Sequence, residues 1–345
     1  MARRARPRSP LPHLATLALI AAGGVGCQFQ PDALPGGPGT PPDASPPIDT
    51  PPIAIDATPI DATPIDATPI DASIDASIDA ALIPDAGPPP DALPLPPDDE
   101  LVNRGLLTRY FIDEATDGTE PGELTDSAPD PLPLTIEFAD EGAFIDDAGN
   151  RGLRWNALTD QGKAAALLAE DGKVWQGLDG TTTGTIELVV DIDQFVDGSR
   201  LSQIGENQDS GVFTLRIESA GVLAFAWNNA TGGRATWNVD LVARGRTVLH
   251  AVLDTGRNNA NERIRLYVDG VEQPSSGGAP PARNLAIDIV TGSETEHILG
   301  NRTAGERGVA GTFYYASMYT AALEPAEVLH NVDILVMNDD GPGDD

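Results

Sequence analysis

Residues 31–100 lack the side chains for a hydrophobic core, so any folded domain must come largely from the rest of the chain. This stretch holds 19 of the 31 prolines in the 345-residue sequence and 14 acidic residues, but no Lys, Arg or aromatic residue. A motif Ile-Asp-Ala-Thr-Pro starts at Ile55, Ile60 and Ile65 and then shortens. Because this period is neither 3.6 nor 2, the isoleucines line no face of a helix or strand. Proline favours extended backbone and like charges repel, which predicts a disordered, extended acidic linker.

The first 26 residues have the composition of a secretory signal peptide. Arg3, Arg4, Arg6 and Arg8 precede an apolar stretch and a run of small residues, and no acidic residue is present. A basic head, a short apolar segment and a small-residue exit are typical of such signals. The apolar run is shorter than the roughly 20 residues that span a bilayer. We therefore predict that residues 1–26 direct secretion.

Cys27 is the single cysteine of the chain, so an intrachain disulfide is excluded. The stretch Val25-Gly26-Cys27 resembles the end of the lipobox of bacterial lipoproteins, although Gly24 stands where that family prefers leucine. The resemblance implies that Cys27 is lipidated and anchors the protein to a membrane. Residues 27–100 would then comprise the lipidation site and the linker. Gln28 then favours the outer membrane of a Gram-negative cell, on its cell surface or periplasmic face. A stray thiol beside an ordinary cleavage site is the alternative.

Residues 101–345 are the predicted folded domain. Short apolar or alternating runs recur between Gly, Asn and Asp clusters, which is typical of an all-β sandwich. In Arg263–Val268 the period of 2 places Ile264, Leu266 and Val268 in one row, and Asp269-Gly270 suits a tight hairpin turn. Glu324-Pro325-Ala326-Glu327 predicts the start of one short C-terminal helix.

Several ordered motifs resemble a known family. Leu249–Asp254, Arg265–Val271, Gly311–Tyr319 and Ala322–Val328 are similar to the closing half of a laminin-G-like domain of the concanavalin A-like lectin/glucanase superfamily, and Tyr110–Glu114 is similar to its opening strand. The resemblance implies a two-sheet antiparallel jelly roll, often ligand-binding and often with calcium. A shared fold does not by itself give a function, so the site must be argued separately.

Catalysis finds little support in the sequence. Glycan-cleaving relatives carry acids in the order Glu-x-Asp-x-x-Glu or Glu-x-Asp-x-Glu on one strand, whereas Val189 replaces the middle acid here. Glu187 and Asp191 are separated by about 13 Å in a regular strand, beyond the roughly 5–9.5 Å of paired glycosidase carboxylates. Outside the signal peptide, His250, His297 and His330 accompany no nucleophile motif, and His250 is interpreted as structural.

Two kinds of binding site are predicted, one for a structural calcium ion and one for a sugar. Asp113, Asp126 and Asp179 are the acids closest to the family's loops and are candidate ligands for a structural calcium ion, which needs several oxygens. Trp227-Asn228 and Trp237-Asn238 pair an aromatic ring with an amide, as sugar sites do. The alternative for both tryptophans is core packing, since Trp227 shares its row with apolar residues.

The net negative charge of the chain limits the classes of molecule that it is expected to bind. The chain carries −32 at pH 7, with a pI near 4.1, which argues against nucleic acid as a partner. Anionic membranes are also repelled, so membrane contact is expected through the lipid anchor only. The sequence predicts noncatalytic binding of a neutral or cationic glycan or protein at the cell envelope. A glycan-cleaving hydrolase and a structural envelope protein without a small ligand are the alternatives.

Overall fold

The computed structural model describes residues between Leu95 and Gly341, with short gaps. The described ranges are 95–97, 100–114, 122–137, 142–147, 149–158, 162–205, 211–228, 233–290 and 295–341. The predicted signal peptide, the lipidation site Cys27 and nearly all of the predicted linker lie outside these residues.

The described residues form seventeen strands, two α-helices and a 3₁₀ turn at Ala260–Glu262. The strands are β1 (Leu106–Phe111), β2 (Glu123–Leu124), β3 (Leu134–Glu137), β4 (Gly142–Asp147), β5 (Asn150–Trp155), β6 (Lys163–Leu167), β7 (Thr183–Phe195), β8 (Ser199–Gly205), β9 (Phe213–Ser219), β10 (Val222–Trp227), β11 (Arg234–Asn238), β12 (Thr247–Asp254), β13 (Ile264–Val268), β14 (Val271–Gln273), β15 (Ser275–Gly278), β16 (Glu296–Leu299) and β17 (Val309–Tyr319). The helices are α1 (Lys173–Leu178) and α2 (Pro325–Met337).

The strands form two antiparallel sheets. Sheet I has the order β14-β13-β12-β7-β17-β5-β4, and β1 also pairs with β17. Sheet II has the order β15-β11-β10-β9-β8-β16-β6-β3-β2. Neighbouring strands such as β7 and β17 are far apart in sequence, so the chain crosses repeatedly between the sheets. This arrangement confirms the predicted all-β, two-sheet antiparallel sandwich with a short C-terminal helix.

The main core lies between the two sheets and follows the period of 2. In β7, Ile186, Leu188 and Val190 point into this core with at most 1% exposure. From sheet II, Phe213 and Phe225 meet edge to face, with their ring centroids 5.0 Å apart. Strand alternation therefore sends every second residue of each sheet to an outer face.

The β13–β14 hairpin turn and the first turn of α2 form where the local sequence predicts them. Asp269 and Gly270 have φ values of 50° and 77°, the positive angles required by the turn between β13 and β14. Glu324 and Glu327 form a reciprocal capping box at the start of α2, with Pro325 in the first turn. Strand β8 was not predicted, because its polar and apolar residues are all buried and no alternation shows in its sequence.

Helix α2 covers the outer face of sheet I. Val189 and Val248 of that face pack in one buried cluster with Val332 and Leu335 of the helix. A second cluster joins Val328 to Tyr319 and its neighbours. The central strands β7, β12 and β17 of sheet I are therefore buried on both faces, and this second buried layer holds the polar residues described next.

Candidate functional site

A cleft of about 1150 Å³ opens between β1, the segment before it and the end of α2. Its apolar lining includes Phe111, Ile334 and the 84% exposed Met337. The carboxylates of Glu100 and Asp333 also line it, and both residues are exposed. Concave sites with an apolar wall and a few polar groups are the usual places for small ligands. We therefore take this cleft as the candidate binding site.

Arg109 lines the inner end of the cleft and is held by internal hydrogen bonds. Its guanidinium donates to Asn103 Oδ1 and to the Val102 carbonyl, each at 2.8 Å. It also donates to the hydroxyls of Tyr315 at 3.0 Å and Tyr319 at 3.3 Å. Burial opposes the charge on Arg109, but the two tyrosines and Glu187 reverse this effect, and the pKa of Arg109 is raised. The cation is therefore part of the wall rather than a free contact for a ligand.

Beneath the cleft lies a network of completely buried polar groups around Glu187. Glu187 Oε1 lies 2.7 Å from His250 Nε2 and accepts a hydrogen bond from Asn331 Nδ2 at 2.8 Å. Glu187 Oε2 accepts hydrogen bonds from three hydroxyls: those of Ser317 at 2.6 Å, Tyr319 at 2.7 Å and Tyr315 at 3.1 Å. We call Glu187 and these partners the Glu187 network.

The network keeps Glu187 ionised. Burial alone would raise the pKa of this carboxyl, but attraction to His250 and the hydrogen bonds that it accepts lower the pKa to about 2. The tyrosines respond in the opposite sense, since burial and the Glu187 charge raise the pKa of both Tyr315 and Tyr319. Glu187 is therefore a fixed buried anion that orients hydrogen-bond donors.

The structure places the candidate tryptophans in the core. Trp227 and Trp237 are each 1% exposed, and Phe225 stacks on Trp227 with a centroid distance of 6.4 Å. This corrects the expectation of an exposed aromatic platform. Both rings occupy inward-facing positions of β10 and β11, where burial of a large apolar surface outweighs exposure for binding.

The two candidate asparagines have different surroundings. Asn228 holds a loop, because its Nδ2 donates to the Ala286 carbonyl at 2.7 Å and its Oδ1 accepts from Asp288 N at 2.9 Å. Asn238 is exposed at the end of β11. With both tryptophans turned inward, the expected pairs of aromatic ring and amide are not formed.

The three candidate calcium ligands each accept a hydrogen bond from the protein backbone. Asp126 is 2% exposed and its Oδ2 is 2.5 Å from Lys173 Nζ, while its Oδ1 accepts backbone hydrogen bonds from Arg109 and Ala128. Asp179 accepts from Ile289 N. Asp113 accepts from Gly341 N. In the described ranges no three acidic, His or Cys side chains gather as metal ligands. Protein donors thus contact both carboxylate oxygens of Asp126.

Comparisons with known proteins identify the type of domain. Residues 160–329 match the family model described as the concanavalin A-like lectin/glucanases superfamily. These residues form a concanavalin A-like domain. The jelly-roll fold expected from the sequence is thereby confirmed. No curated protein matches the chain.

Several solved structures are similar to this chain at low sequence identity. A Trypanosoma rangeli sialidase with a covalent intermediate is 17% identical, with a TM-score of 0.46 over 68% of this chain and 33% of the sialidase. Domain 4 of the arabinanase AbnA from Geobacillus stearothermophilus, in complex with arabinotriose, is 16% identical, with a TM-score of 0.44 over 66% of this chain and 98% of that domain. The binding domain of botulinum neurotoxin DC, in complex with SialylT, is 11% identical. Its TM-score is 0.46 over 67% of this chain and 52% of the neurotoxin chain. The aligned part corresponds to about a third of the sialidase's length.

Within the concanavalin A-like domain, Glu187 and Asp191 have unlike surroundings. Glu187 is 0% exposed beneath α2, whereas Asp191 is partly exposed. Burial and the neighbouring Asp193 raise the pKa of Asp191, in contrast to that of Glu187. An acid that is inaccessible to substrate and holds no proton at neutral pH cannot protonate a leaving group.

Sequence reasoning missed the partners of Glu187. His250 lies 63 positions away along the chain and Asn331 lies 144 positions away. Glu187 and His250 are direct cross-strand neighbours, but no local pattern in the sequence contains the pairing of two strands this far apart. Neither helix in the described ranges is long and apolar enough to cross a bilayer.

Proposed function

We propose that this chain is a lipid-anchored envelope protein whose β-sandwich domain binds a neutral or cationic glycan or protein without cleaving it. The observation that carries this proposal is the cleft beside α2. Its lining combines an apolar wall, including Phe111 and Met337, with the exposed carboxylates of Glu100 and Asp333. Such a lining suits a ligand with an apolar face and a neutral or positive polar edge.

The absence of catalysis is part of the proposal. It rests on Glu187, the first acid of the one candidate carboxylate pair, which is buried and held ionised by its five contacts. We expect no reducing ends to be released when the chain is incubated with polysaccharides. Reducing-end release that co-purifies with the chain would overturn this part.

Binding is tested with Met337→Lys in the full-length chain, screened on a glycan array and against basic peptides. A lysine at this 84% exposed position places a cation beside the ligand and removes apolar contact area. We expect about tenfold weaker binding, equivalent to about 1.4 kcal/mol.

Val336→Lys is the matched control for this experiment. Val336 is the adjacent helix residue, is 52% exposed and does not line the cleft. Equal losses in the two variants, or no loss with Met337→Lys, would refute the cleft as the site.

The anchor and the location are proposed from the N-terminal sequence. Cys27 would carry the acyl chains that hold an acidic protein at the outer membrane. We expect Cys27→Ser to move the chain from the membrane fraction to the soluble fraction. An unchanged distribution would contradict lipidation.

A further inference from the structure

Helix α2 borders the cleft with one stripe of side chains. Asp333, Ile334 and Met337 line the cleft from this helix. They are one, three and four positions apart, so they share one side of the helix. Leu106 and Phe111 line the cleft from β1. The α2 wall therefore carries an apolar surface with a carboxylate at one end.

Glu100 adds a second carboxylate at the same end of the cleft. His330 Nε2 of α2 donates to the Glu100 carbonyl at 2.9 Å, and His330 precedes Asp333 by three positions. Glu100 and Asp333 both line the cleft and are both exposed. Met337 follows Asp333 after about one helical turn, which separates their Cβ atoms by roughly 6 Å.

Neither of these carboxylates is neutralised inside the protein. The described ranges include every Lys and Arg of residues 101–345, and within these ranges the side chains of Glu100 and Asp333 form no ion pair or hydrogen bond. The third acid of the lining, Asp340, differs because it pairs with Arg151 at 3.5 Å. The cleft thus offers two unpaired negative charges beside an apolar wall.

The neutral polar groups of the lining already have partners inside the protein. Asn103 Oδ1 accepts a hydrogen bond from Arg109, and Ser127 Oγ donates to the Arg109 carbonyl at 3.1 Å. Asn338 Oδ1 accepts from Asp340 N at 3.0 Å. A sugar that leaves water needs new partners for its hydroxyl groups. This lining therefore favours a cation on an apolar stem over a sugar.

We propose that the cleft binds a lysine-bearing segment of a protein partner, with the lysine ammonium beside Asp333 and its methylene stem against Ile334 and Met337. Lysine lays its four-carbon stem on apolar surface while its charged head stays in water. Glu100 supplies a second carboxylate for the cation. Residues 101–345 contain 39 acidic and 17 basic residues, and this excess attracts a cationic segment over a longer range. The inference rests on the proposed function, because it names the partner of the same cleft.

The test titrates the full-length chain by calorimetry at pH 6 and constant ionic strength. The main probe is the end-blocked peptide Lys-Leu-Lys-Leu-Lys. One analogue has glutamine in place of lysine, and another has 2,4-diaminobutyrate, which keeps the charge but shortens each stem by two methylene groups. Triglucosamine is the cationic glycan. We expect the lysine peptide to bind about tenfold more tightly than each of these three. Equal binding by triglucosamine or by either analogue would overturn the inference.

The variant Glu100→Gln/Asp333→Asn removes both unpaired charges from exposed side chains. We expect it to bind the lysine peptide about tenfold more weakly. Glu170→Gln/Asp240→Asn is the matched control, because it removes the same charge from exposed acids that do not line the cleft. It should bind within about twofold of the wild type. Thermal melts show that both variants are folded. Equal losses in the two variants, or a wild type that does not bind the peptide, would also overturn the inference.

Failure of this inference differs from failure of the proposed function. If the wild type ignores the lysine peptide but binds a neutral glycan that Met337→Lys weakens, the cleft is a binding site and only the lysine-bearing partner is wrong. If Met337→Lys and Val336→Lys weaken every ligand equally, the cleft itself is refuted.

Discussion

Replacing Glu187 with glutamine removes the central charge of the Glu187 network while nearly preserving the shape of the side chain. The native pKa of Glu187 is about 2, against an ordinary value of 4.5. Each pKa unit corresponds to about 1.4 kcal/mol, so ionisation of this fully buried group stabilises the fold by about 3 kcal/mol at pH 7. Glutamine also turns an NH₂ group toward donors and leaves Arg109 buried near a neutral partner. We expect the free energy of unfolding to fall by about 3–5 kcal/mol.

The same argument fixes the direction of the pH effect. The folded pKa of Glu187 is depressed, so its contribution is complete above the unfolded value of 4.5 and is lost as the pH falls toward 2. The wild type should therefore lose stability through this window more steeply than Glu187→Gln does.

Urea unfolding, followed by tryptophan fluorescence at pH 7 and at pH 3, measures both effects. Glu170→Gln is the matched control, because Glu170 is an exposed acid in the turn after β6 and should behave as the wild type does. The reasoning fails if Glu187→Gln costs less than about 1 kcal/mol at pH 7, or if its stability changes with pH as that of the wild type does.

Three further outcomes are expected. Burial lowers the pKa of His297 from 6.5 to about 4, so the unfolded chain binds the proton first and acidification from pH 7 to pH 5 should cost about 2 kcal/mol. His297→Leu should lack this loss in urea unfolding, and an unchanged pH profile would contradict the assignment. Trp237→Ala should lower the free energy of unfolding by about 3–5 kcal/mol, whereas the exposed Asn238→Ala should change it by less than about 0.5 kcal/mol; equal effects would argue against the core position of the indole. A chelator should leave the melting temperature unchanged, because Asp126 is held by Lys173, and a clear decrease would reveal a bound metal ion.

The period of 2 and the local turn chemistry determined much of the sandwich. Ile264, Leu266 and Val268 form one inward row as their spacing predicts, and the turn at Asp269-Gly270 adopts positive φ angles. These features depend on neighbouring residues alone, so the sequence contains them directly. The order of the motifs between Leu249 and Val328 also pointed to the superfamily whose model matches residues 160–329.

Alternation does not say which layer will cover a given face. Trp227 and Trp237 lie on the core side of their strands, whereas Glu187 lies on an outer face that α2 then buries. The period of 2 separates the two faces of a strand, but burial depends on elements distant in sequence. Only the tertiary structure decided that the tryptophans pack inside and that Glu187 is inaccessible.

The net charge of the chain follows from the sequence, whereas the positions of its charged groups relative to one another follow only from the tertiary structure. The sequence by itself determined a net charge of −32 and an acidic, proline-rich segment. Net charge is a sum over the chain, whereas a ligand responds to the field of the few groups within about 10 Å. Arg200 and Arg307 are distant in sequence, yet the backbone N–H of Arg200 donates to the Arg307 carbonyl at 2.9 Å. The tertiary structure alone placed Arg200 near Arg216, Arg302 and Arg307 on an acidic protein, because strand pairing and the loop after β16 bring these residues together.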